Sequence, residues 1–295
     1  MSAETKYFNY EAVSGFFQFD RSPTGPDYRA TTTPNLGLIS RPYETDSYFD
    51  PTNEKTQWER FMYYLKTQNI RGRGRILYKL IFYIRHGEGY HNAKKAEVGR
   101  EEWDAHWCRL DGDGKLIWFD ASLTERGKQQ AQALNRFWRE SIRNPKIPLP
   151  QAYYTSPHAR CLETTKIVYS GLDGSVGFSS APIVKEGLRE RSGYRSCNQR
   201  QTKSWIASHY PLYEVEGSFA EQDELWRPDE REPTTNVERR AKAVLDEIFK
   251  DSSKCVLSIT AHSLLVRALH TVTKHPDIGV APGAMVPLLI RAEAV

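Results

Sequence analysis

From residue 77 onward, the spacing of hydrophobic and polar residues is first that of a β-strand and then that of an α-helix. Residues 77–84, LYKLIFYI, form a nearly continuous apolar run, which is typical of a strand covered on both faces. Residues 122–143 begin with a Ser-x-x-Glu capping box and keep apolar residues at helical spacing, which predicts a helix. The regular part of the chain therefore opens with a strand followed by a helix.

The same alternation continues toward the C-terminus. In chain order we predict strand 151–156, helix 159–172, strand 181–190, helix 234–251, strand 254–261, helix 263–274 and strand 283–295. Strands separated by helices pair in parallel through right-handed crossovers. The sequence therefore predicts a three-layer α/β/α sandwich with a mostly parallel central sheet.

Residues 1–76 lack this alternation and are rich in Pro, Thr, Tyr and Asp, apart from a helical spacing in residues 56–68. We predict that they form an N-terminal arm packed on a single domain of residues 77–295. Two segments, 93–121 and 191–234, interrupt the alternation. We predict that these insertions form a cap over the site.

Composition and charge narrow the function classes. The net charge of +4, from 41 basic and 37 acidic residues, is too small to indicate nucleic acid but favours an anionic ligand. No apolar window approaches the roughly 18 residues that a membrane span needs, and the N-terminus lacks a secretory signal pattern. The four cysteines have no CxxC spacing. We expect a cytoplasmic protein without a metal, a cofactor, a membrane partner or a nucleic-acid partner.

Three predicted strand-to-helix junctions carry polar side chains of one chemical kind. Arg85 and His86 end the first strand, Arg160 lies one turn into a helix, and His262 and Ser263 follow a later strand. The carboxyl ends of parallel strands share one edge, where ligands bind. Helix N-termini and guanidinium groups both favour phosphate. A neutral imidazole there can attack phosphorus and form a phosphohistidine.

Such a reaction also needs a group that protonates the leaving oxygen and later deprotonates water. One carboxylic acid near the phosphoryl group can do both. Glu190 is the first candidate, because a predicted strand opens into a loop there. Glu88, two residues after His86, is the second.

Four stretches, RHGEGYHN, TSPHARCLET, GLRE and TAHS, occur in an order that resembles the histidine phosphatase superfamily, which includes the cofactor-dependent phosphoglycerate mutases. The resemblance covers about residues 77–275. It implies the following roles: His86 as the nucleophile, Glu190 as the proton donor, and Arg85, Arg160, His262 and Asn92 as ligands of the phosphoryl group. The neighbouring Glu88, Gly89 and Ser263 are added as candidate substrate contacts.

Within that superfamily the chain looks most like fungal phosphomutase-like phosphatases, through GYHN, EEWDAHW, GLRE and DELWRPDERE. Gly89 stands where mutases usually have serine or threonine. The stretch RERSGYRSCNQR lacks the Glu-Arg-x-Tyr-Gly pattern of glycolytic mutases. Both departures favour a phosphatase over a mutase.

We therefore expect a metal-independent phosphatase that hydrolyses a small-molecule phosphomonoester through a phosphohistidine on His86. A phosphomutase and a non-catalytic phosphoester-binding protein are the alternatives, and a homodimer is the assembly to be tested.

Arg195 and Arg200 could bind a second acidic group of the substrate or lie in a solvated loop. The tryptophans and tyrosines of the cap segments suggest a leaving group with ring character. His91, His106 and Cys108 do not have the spacing of a standard metal site.

Overall fold

A computed structural model describes residues 7–21, 28–172, 178, 180–251 and 253–295; residues 1–6 and 22–27 of the predicted arm lie outside them. The strands are β1 (Phe8–Ala12), β2 (Arg29–Ala30), β3 (Ile76–Arg85), β4 (Ala152–Thr155), β5 (Ile183–Val184), β6 (Glu214–Val215), β7 (Val256–Ala261), β8 (Gly279–Val280) and β9 (Met285–Ala294). The α-helices are α1 (Asp46–Phe49), α2 (Gln57–Arg71), α3 (Tyr90–Val98), α4 (Arg100–Ala105), α5 (Glu125–Ser141), α6 (Ala159–Tyr169), α7 (Lys203–His209), α8 (Thr234–Lys250) and α9 (Ser263–Thr273).

Seven of the described strands form one sheet in the order β1-β9-β3-β7-β4-β5-β6. The five strands from β3 to β6 in this order pair in parallel, whereas β9 pairs antiparallel with both β3 and β1. Helix α5 packs against α6 and α8 packs against α9, beside the sheet. The predicted α/β fold, with a mostly parallel central sheet flanked by helices, is confirmed.

The apolar run of β3 fits the position of this strand in the interior of the sheet. Residues Leu80, Ile81, Phe82, Tyr83 and Ile84 of β3 are all fully buried, because β7 and β9 flank the strand and helices cover it. A strand that is covered on both faces has no need for polar alternation. The polar residues that follow at its carboxyl end therefore stand out against a strongly apolar background.

Helix α5 begins later than the sequence pattern predicts. Thr124 is the N-cap, and its hydroxyl accepts a hydrogen bond from the Gly127 N–H at 3.0 Å. The predicted N-cap residue of this helix, Ser122, lies before the helix instead, and its carbonyl oxygen accepts a hydrogen bond from Tyr90 N at 3.1 Å. This contact ties the start of α5 to the start of α3 and so places both helices beside the end of β3.

The N-terminal segment contributes a strand that the sequence pattern did not predict. In β1, Phe8 and Tyr10 are buried and alternate with exposed residues, and the strand pairs with the whole C-terminal half of β9.

Helix α2 begins with a capping box between Thr56 and Glu59. Among the described helices, none combines the length and the apolar character that crossing a bilayer requires.

Candidate active site

The three polar junctions lie side by side because their strands are neighbours in the sheet. Arg85 at the end of β3 pairs with Ala261 of β7, and Thr155 of β4 pairs with Thr260 of β7. The three strands therefore end at the same level. His86, His262 and the start of α6 follow directly and meet at this carboxyl edge.

A cavity of about 280 Å³ opens at this edge. Of the residues predicted from the sequence, the following line it: Arg85, His86, Asn92, Glu190 and Ser263. Arg160 and His262 are fully buried directly behind this surface, and the rings of His262 and His86 lie 5.1 Å apart between centroids. The structure thus brings together seven of the nine candidates.

The His86 ring has one defined tautomer. Its Nδ1 lies 2.7 Å from the carbonyl oxygen of Gly87, which can only accept, so Nδ1 carries the proton and Nε2 keeps a lone pair. Burial holds the pKa of His86 well below its usual value, and the charges of Arg160 and Arg85 lower it further. The imidazole is therefore neutral at physiological pH, which is the form that a nucleophile needs.

Arg160 is a fully buried cation with donors aimed in two directions. One terminal nitrogen donates to the Cys197 carbonyl oxygen at 2.8 Å. The other lies 3.4 Å from Asn198 Oδ1 and 3.4 Å from His262 Nδ1, while Nε has no partner among the described residues. A buried guanidinium with unused donors is suited to an anion.

Asp120 and His158 lie beside Arg160, and neither was predicted from the sequence as a site residue. Asp120 Oδ1 accepts from His158 Nδ1 at 2.8 Å and from Ala159 N at 3.2 Å, and it lies 4.0 Å from Arg160. Burial raises the pKa of Asp120 to about 7, although Arg160 opposes this shift. The carboxyl group thereby fixes the first turn of α6, from which Arg160 projects.

His262 connects the arginine to the predicted proton donor. Its Nε2 lies 2.7 Å from Ser156 Oγ, and its Nδ1 lies 3.8 Å from Glu190 Oε2. Since the guanidinium of Arg160 can only donate, Nδ1 accepts in this state and Nε2 carries the proton. Burial, followed by the charge of Arg160, lowers the pKa of His262 well below its usual value.

Two further candidates face the cavity with free donors. Arg85 donates from one terminal nitrogen to the Val280 carbonyl oxygen at 2.8 Å, and its Nε has no partner among the described residues. Asn92 Oδ1 accepts from Gly89 N at 3.1 Å. No acceptor among the described residues engages the Asn92 amide nitrogen, so this donor is available to a ligand in the cavity.

Glu88 and Gly89 do not line the cavity. Glu88 Oε1 accepts from the Thr124 hydroxyl at 2.9 Å, and Oε2 lies 3.7 Å from Arg126, so the carboxylate points toward the start of α5. Gly89 is the residue that precedes α3. Its N–H orients Asn92 and is already used.

The two predicted insertions supply further cavity residues, of which only Arg195 was considered as a substrate contact from the sequence. Segment 93–121 contributes Lys95, Arg100 and Trp103, and segment 191–234 contributes Arg191, Arg195, Cys197, Asn198 and Arg231. His91 also lines the cavity, with its ring 5.8 Å from that of His86 and with no hydrogen-bond partner for Nδ1 among the described residues. His91 belongs to the GYHN stretch, but its position in the cavity was not predicted from the sequence.

Most cap aromatics lie away from the cavity. Trp205, Tyr210 and Tyr213 pack in one small core, and Trp107 and Trp118 pack in another with Trp103. Of these rings only that of Trp103 reaches the cavity. The aromatic content of the cap therefore reflects packing and gives little support to a leaving group with ring character.

Comparison with known proteins agrees with this geometry. The profile described as "Histidine phosphatase superfamily (branch 1)" matches residues 109–279, downstream of the Arg85-His86-Gly87 junction. "Probable phosphoglycerate mutase" from Arthroderma benhamiae is 37% identical over 97% of this chain and 85% of its own length. "Phosphomutase-like protein 3" from Candida albicans is 35% identical over 73% and 66%, respectively.

A third relative extends the similarity. "Probable phosphoglycerate mutase PMU1" from Saccharomyces cerevisiae is 31% identical over 82% of this chain and 85% of its own length. The profile matches more than half of the chain, and the first relative aligns across nearly all of it, including the junction at His86. The chain therefore belongs to the histidine phosphatase superfamily.

Proposed function

We propose that this protein is a metal-independent phosphatase, which hydrolyses a small-molecule phosphomonoester through a phosphohistidine on His86. One observation carries the proposal. The hydrogen bond from His86 Nδ1 to the Gly87 carbonyl leaves the Nε2 lone pair on a neutral imidazole, beside the charges of Arg85 and Arg160. Neutral nitrogen next to fixed positive charge is the arrangement that attack on a phosphate dianion requires.

In the first step, Nε2 of His86 forms a bond to phosphorus while the bond from phosphorus to the ester oxygen breaks. Arg85 and Arg160 offset the charge on the non-bridging oxygens. A bound dianion also favours a proton on Nδ1 of His262, which then donates to one of these oxygens. Glu190, in its carboxylic acid form, gives its proton to the departing alkoxide.

In the second step, the Glu190 carboxylate takes a proton from a water molecule as that water attacks phosphorus. The bond from His86 Nε2 to phosphorus breaks, inorganic phosphate leaves, and the imidazole returns to its neutral form. Glu190 ends the cycle protonated. The distance of 3.8 Å between Glu190 Oε2 and His262 Nδ1 supports this role, because it places the carboxyl group in the cavity beside the histidine that lies behind the His86 surface.

The names of the relatives favour a second candidate function, that of a phosphomutase. In that reaction the phosphoryl group returns from His86 to another oxygen of the same organic molecule, and little phosphate is released. The chemistry at His86 is the same in both cases. The two candidates differ in whether water or a hydroxyl group accepts the phosphoryl group.

The test uses the purified full chain with EDTA and a panel of sugar, alkyl and aryl phosphates. Released phosphate and organic isomers are measured in the same samples. We expect stoichiometric phosphate release, and the His86→Ala variant should lose about 10³-fold or more in kcat/KM. The control variant His106→Ala, at an exposed position, should retain activity.

Other outcomes separate the alternatives. Isomerisation without phosphate release would favour the mutase. Phosphate binding without turnover of any panel member would favour a non-catalytic binding protein. Full loss of turnover in EDTA that added metal restores would contradict metal independence.

A further inference from the structure

A third histidine lies in the cavity near His86 and His262. His91 lines the cavity wall, and the centroid of its ring lies 5.8 Å from that of His86. The ring of His262 lies 5.1 Å from that of His86. His91 is therefore about as near to the nucleophile as the histidine behind the cavity surface.

His91 differs from the other histidines of the site in its hydrogen bonding. His86, His158 and His262 each have a ring nitrogen within 2.8 Å of a protein oxygen. No residue that the structure describes hydrogen-bonds to either ring nitrogen of His91. Its Nδ1 is buried, whereas Nε2 is not among the buried unpaired atoms and keeps an accessible surface. The fold therefore leaves Nε2 available to a ligand.

Packing alone does not require an imidazole at this position. A buried polar atom without a hydrogen bond lowers stability, and an apolar ring of similar size would fill the space without this cost. A polar ring that faces a cavity beside the nucleophile is more readily explained by a bound ligand that uses its N–H group.

The backbone on both sides of His91 is fixed by hydrogen bonds. His91 is the second residue of α3. Tyr90 N donates to the Ser122 carbonyl oxygen at 3.1 Å, and Asn92 N donates to the Gly89 carbonyl oxygen at 2.8 Å. The Asn92 side chain also accepts from Gly89 N at 3.1 Å. The ring therefore projects from a turn that is ordered before a ligand enters.

Gly89 leaves the space that the His91 ring occupies. A Cβ atom on residue 89 would lie 2.8 Å from Nδ1 and 2.9 Å from Cε1 of His91, which is closer than real Cβ atoms approach other heavy atoms. A serine or threonine at residue 89 would therefore push the ring aside. The glycine and the histidine depend on each other at this junction.

The electrostatic environment keeps the His91 ring neutral. Burial holds the pKa of His91 well below its usual value, and the charge of Arg160 lowers it further. Arg160 acts on the ring more strongly than Arg195 does, so the ring belongs to the phosphoryl end of the cavity. A neutral imidazole offers one N–H donor and adds no third positive charge beside Arg85 and Arg160.

We propose that His91 is a further ligand of the transferred phosphoryl group, and that its neutral ring donates a hydrogen bond from Nε2 to a non-bridging oxygen while His86 attacks phosphorus. The inference rests on the proposed function and adds one residue to its phosphoryl pocket. The proton lies on Nε2 in this complex, because a phosphate oxygen can only accept from the ring.

The first test is calorimetric titration of the full chain with inorganic phosphate, which needs no turnover. His91→Phe keeps a ring and removes both nitrogens, so the loss of a hydrogen bond to a charged acceptor should raise the Kd by about 10–100-fold. His91→Gln keeps an amide N–H that reaches about as far as Nε2, so its Kd should stay within about threefold of the wild type. The control His106→Ala, at an exposed position outside the cavity, should bind like the wild type.

Two outcomes of this titration would overturn the inference. Unchanged binding in His91→Phe would show that the ring only fills space. Equal weakening in His91→Phe and His91→Gln would show that a donor makes no difference. Urea denaturation checks that each variant is folded, and His91→Ala replaces His91→Phe, with the same expectation, if the larger ring disturbs the fold.

A second test locates the contact on the phosphoryl group. Propyl phosphate and 4-nitrophenyl phosphate share the transferred group and differ in the leaving group. His91→Phe should therefore lower kcat/KM for both by the same factor, about 10–100-fold. A loss confined to propyl phosphate would assign His91 to the leaving oxygen and would overturn its assignment to the phosphoryl group.

A double-mutant cycle tests the dependence of His91 on Gly89. In Gly89→Ser the ring is displaced, so adding His91→Ala should weaken phosphate binding by about threefold or less, compared with about 10–100-fold for His91→Ala alone. An equal effect of His91→Ala in both backgrounds would show that residue 89 does not control the ring. The geometry behind the inference would then be wrong.

These measurements separate the inference from the proposed function. Phosphate binding that depends on His91, without release of phosphate from any ester, would support the inference and count against the phosphatase alone. Phosphate release from esters, with phosphate binding that is independent of His91, would leave the phosphatase intact and overturn the inference. A wild-type chain that binds no inorganic phosphate would overturn the inference as well.

Discussion

The replacement Glu190→Gln tests which carboxyl group protonates the leaving oxygen. Glu190 Oε1 accepts from Arg191 N at 2.9 Å, and a glutamine oxygen can accept the same bond. The replacement therefore removes the transferable proton and keeps the shape. Glu88→Gln is the matched control, because Thr124 and Arg126 hold that carboxylate outside the cavity.

The expected magnitude follows from the role of the acid. A positioned general acid contributes about 10²–10⁴-fold, and the bond from Arg191 fixes Glu190 in advance, so we expect a loss of about 10³-fold for an alkyl phosphate. This loss equals about 4 kcal/mol of transition-state stabilisation. With 4-nitrophenyl phosphate the leaving group departs as a phenolate without a proton, so the loss should be about tenfold or less.

The assay is kcat/KM for propyl phosphate and for 4-nitrophenyl phosphate with the wild type and both variants. This parameter covers the steps up to departure of the leaving group, so the later hydrolysis of phosphohistidine does not enter it. The role of Glu190 is refuted if its replacement lowers kcat/KM for the two substrates by the same factor. A large, substrate-dependent loss in Glu88→Gln would assign the proton to that residue instead.

Three further outcomes follow from the geometry of the junction at His86. In Gly87→Ala the new Cβ would lie 2.4 Å from the Gly127 carbonyl oxygen. Urea denaturation should therefore show that the free energy of unfolding falls by about 1–3 kcal/mol. The control Gly217→Ala, with open space around the new Cβ, should leave this free energy unchanged. Because the pKa of His86 is held low, nitrogen NMR should show a neutral ring protonated at Nδ1 at pH 6, and a protonated ring would contradict this. The imidazole of His86 binds a proton below about pH 6.5 in the unfolded chain but stays neutral in the folded one, so the folded state loses stability as the pH falls from 7 to 5.5. Over this interval the His86→Ala variant should lose about 1 kcal/mol less stability than the wild type. An equal loss in both proteins would refute the depressed pKa.

The sequence could predict the junction residues because each of them follows a recognisable strand. Arg85, His86 and His262 end apolar runs, and the rule of parallel pairing brings their strands to one edge. Strand β1 was not predicted, because its five residues with two buried aromatic side chains are too short to show a clear alternation of apolar and polar positions. Its pairing partner β9 lies at the opposite end of the chain.

The cavity residues of segments 93–121 and 191–234 could not be predicted in the same way, because loops have no periodic pattern that fixes where a side chain points. Arg195 and Arg200 gave the same signal in the sequence. Arg195 lines the cavity, whereas Arg200 is buried and donates to Glu186 and to backbone carbonyl oxygens. The choice between them depends on residues far away in sequence that only folding brings near.

The most direct test of the central claim is to trap the covalent intermediate. The full chain is mixed with a ³²P-labelled phosphomonoester and quenched in alkali within the first turnover, and the labelled peptide is identified by mass spectrometry. The account predicts an acid-labile phosphate on Nε2 of His86 that forms and decays at rates compatible with turnover. A label on another residue, or turnover that persists undiminished in His86→Ala, would contradict it.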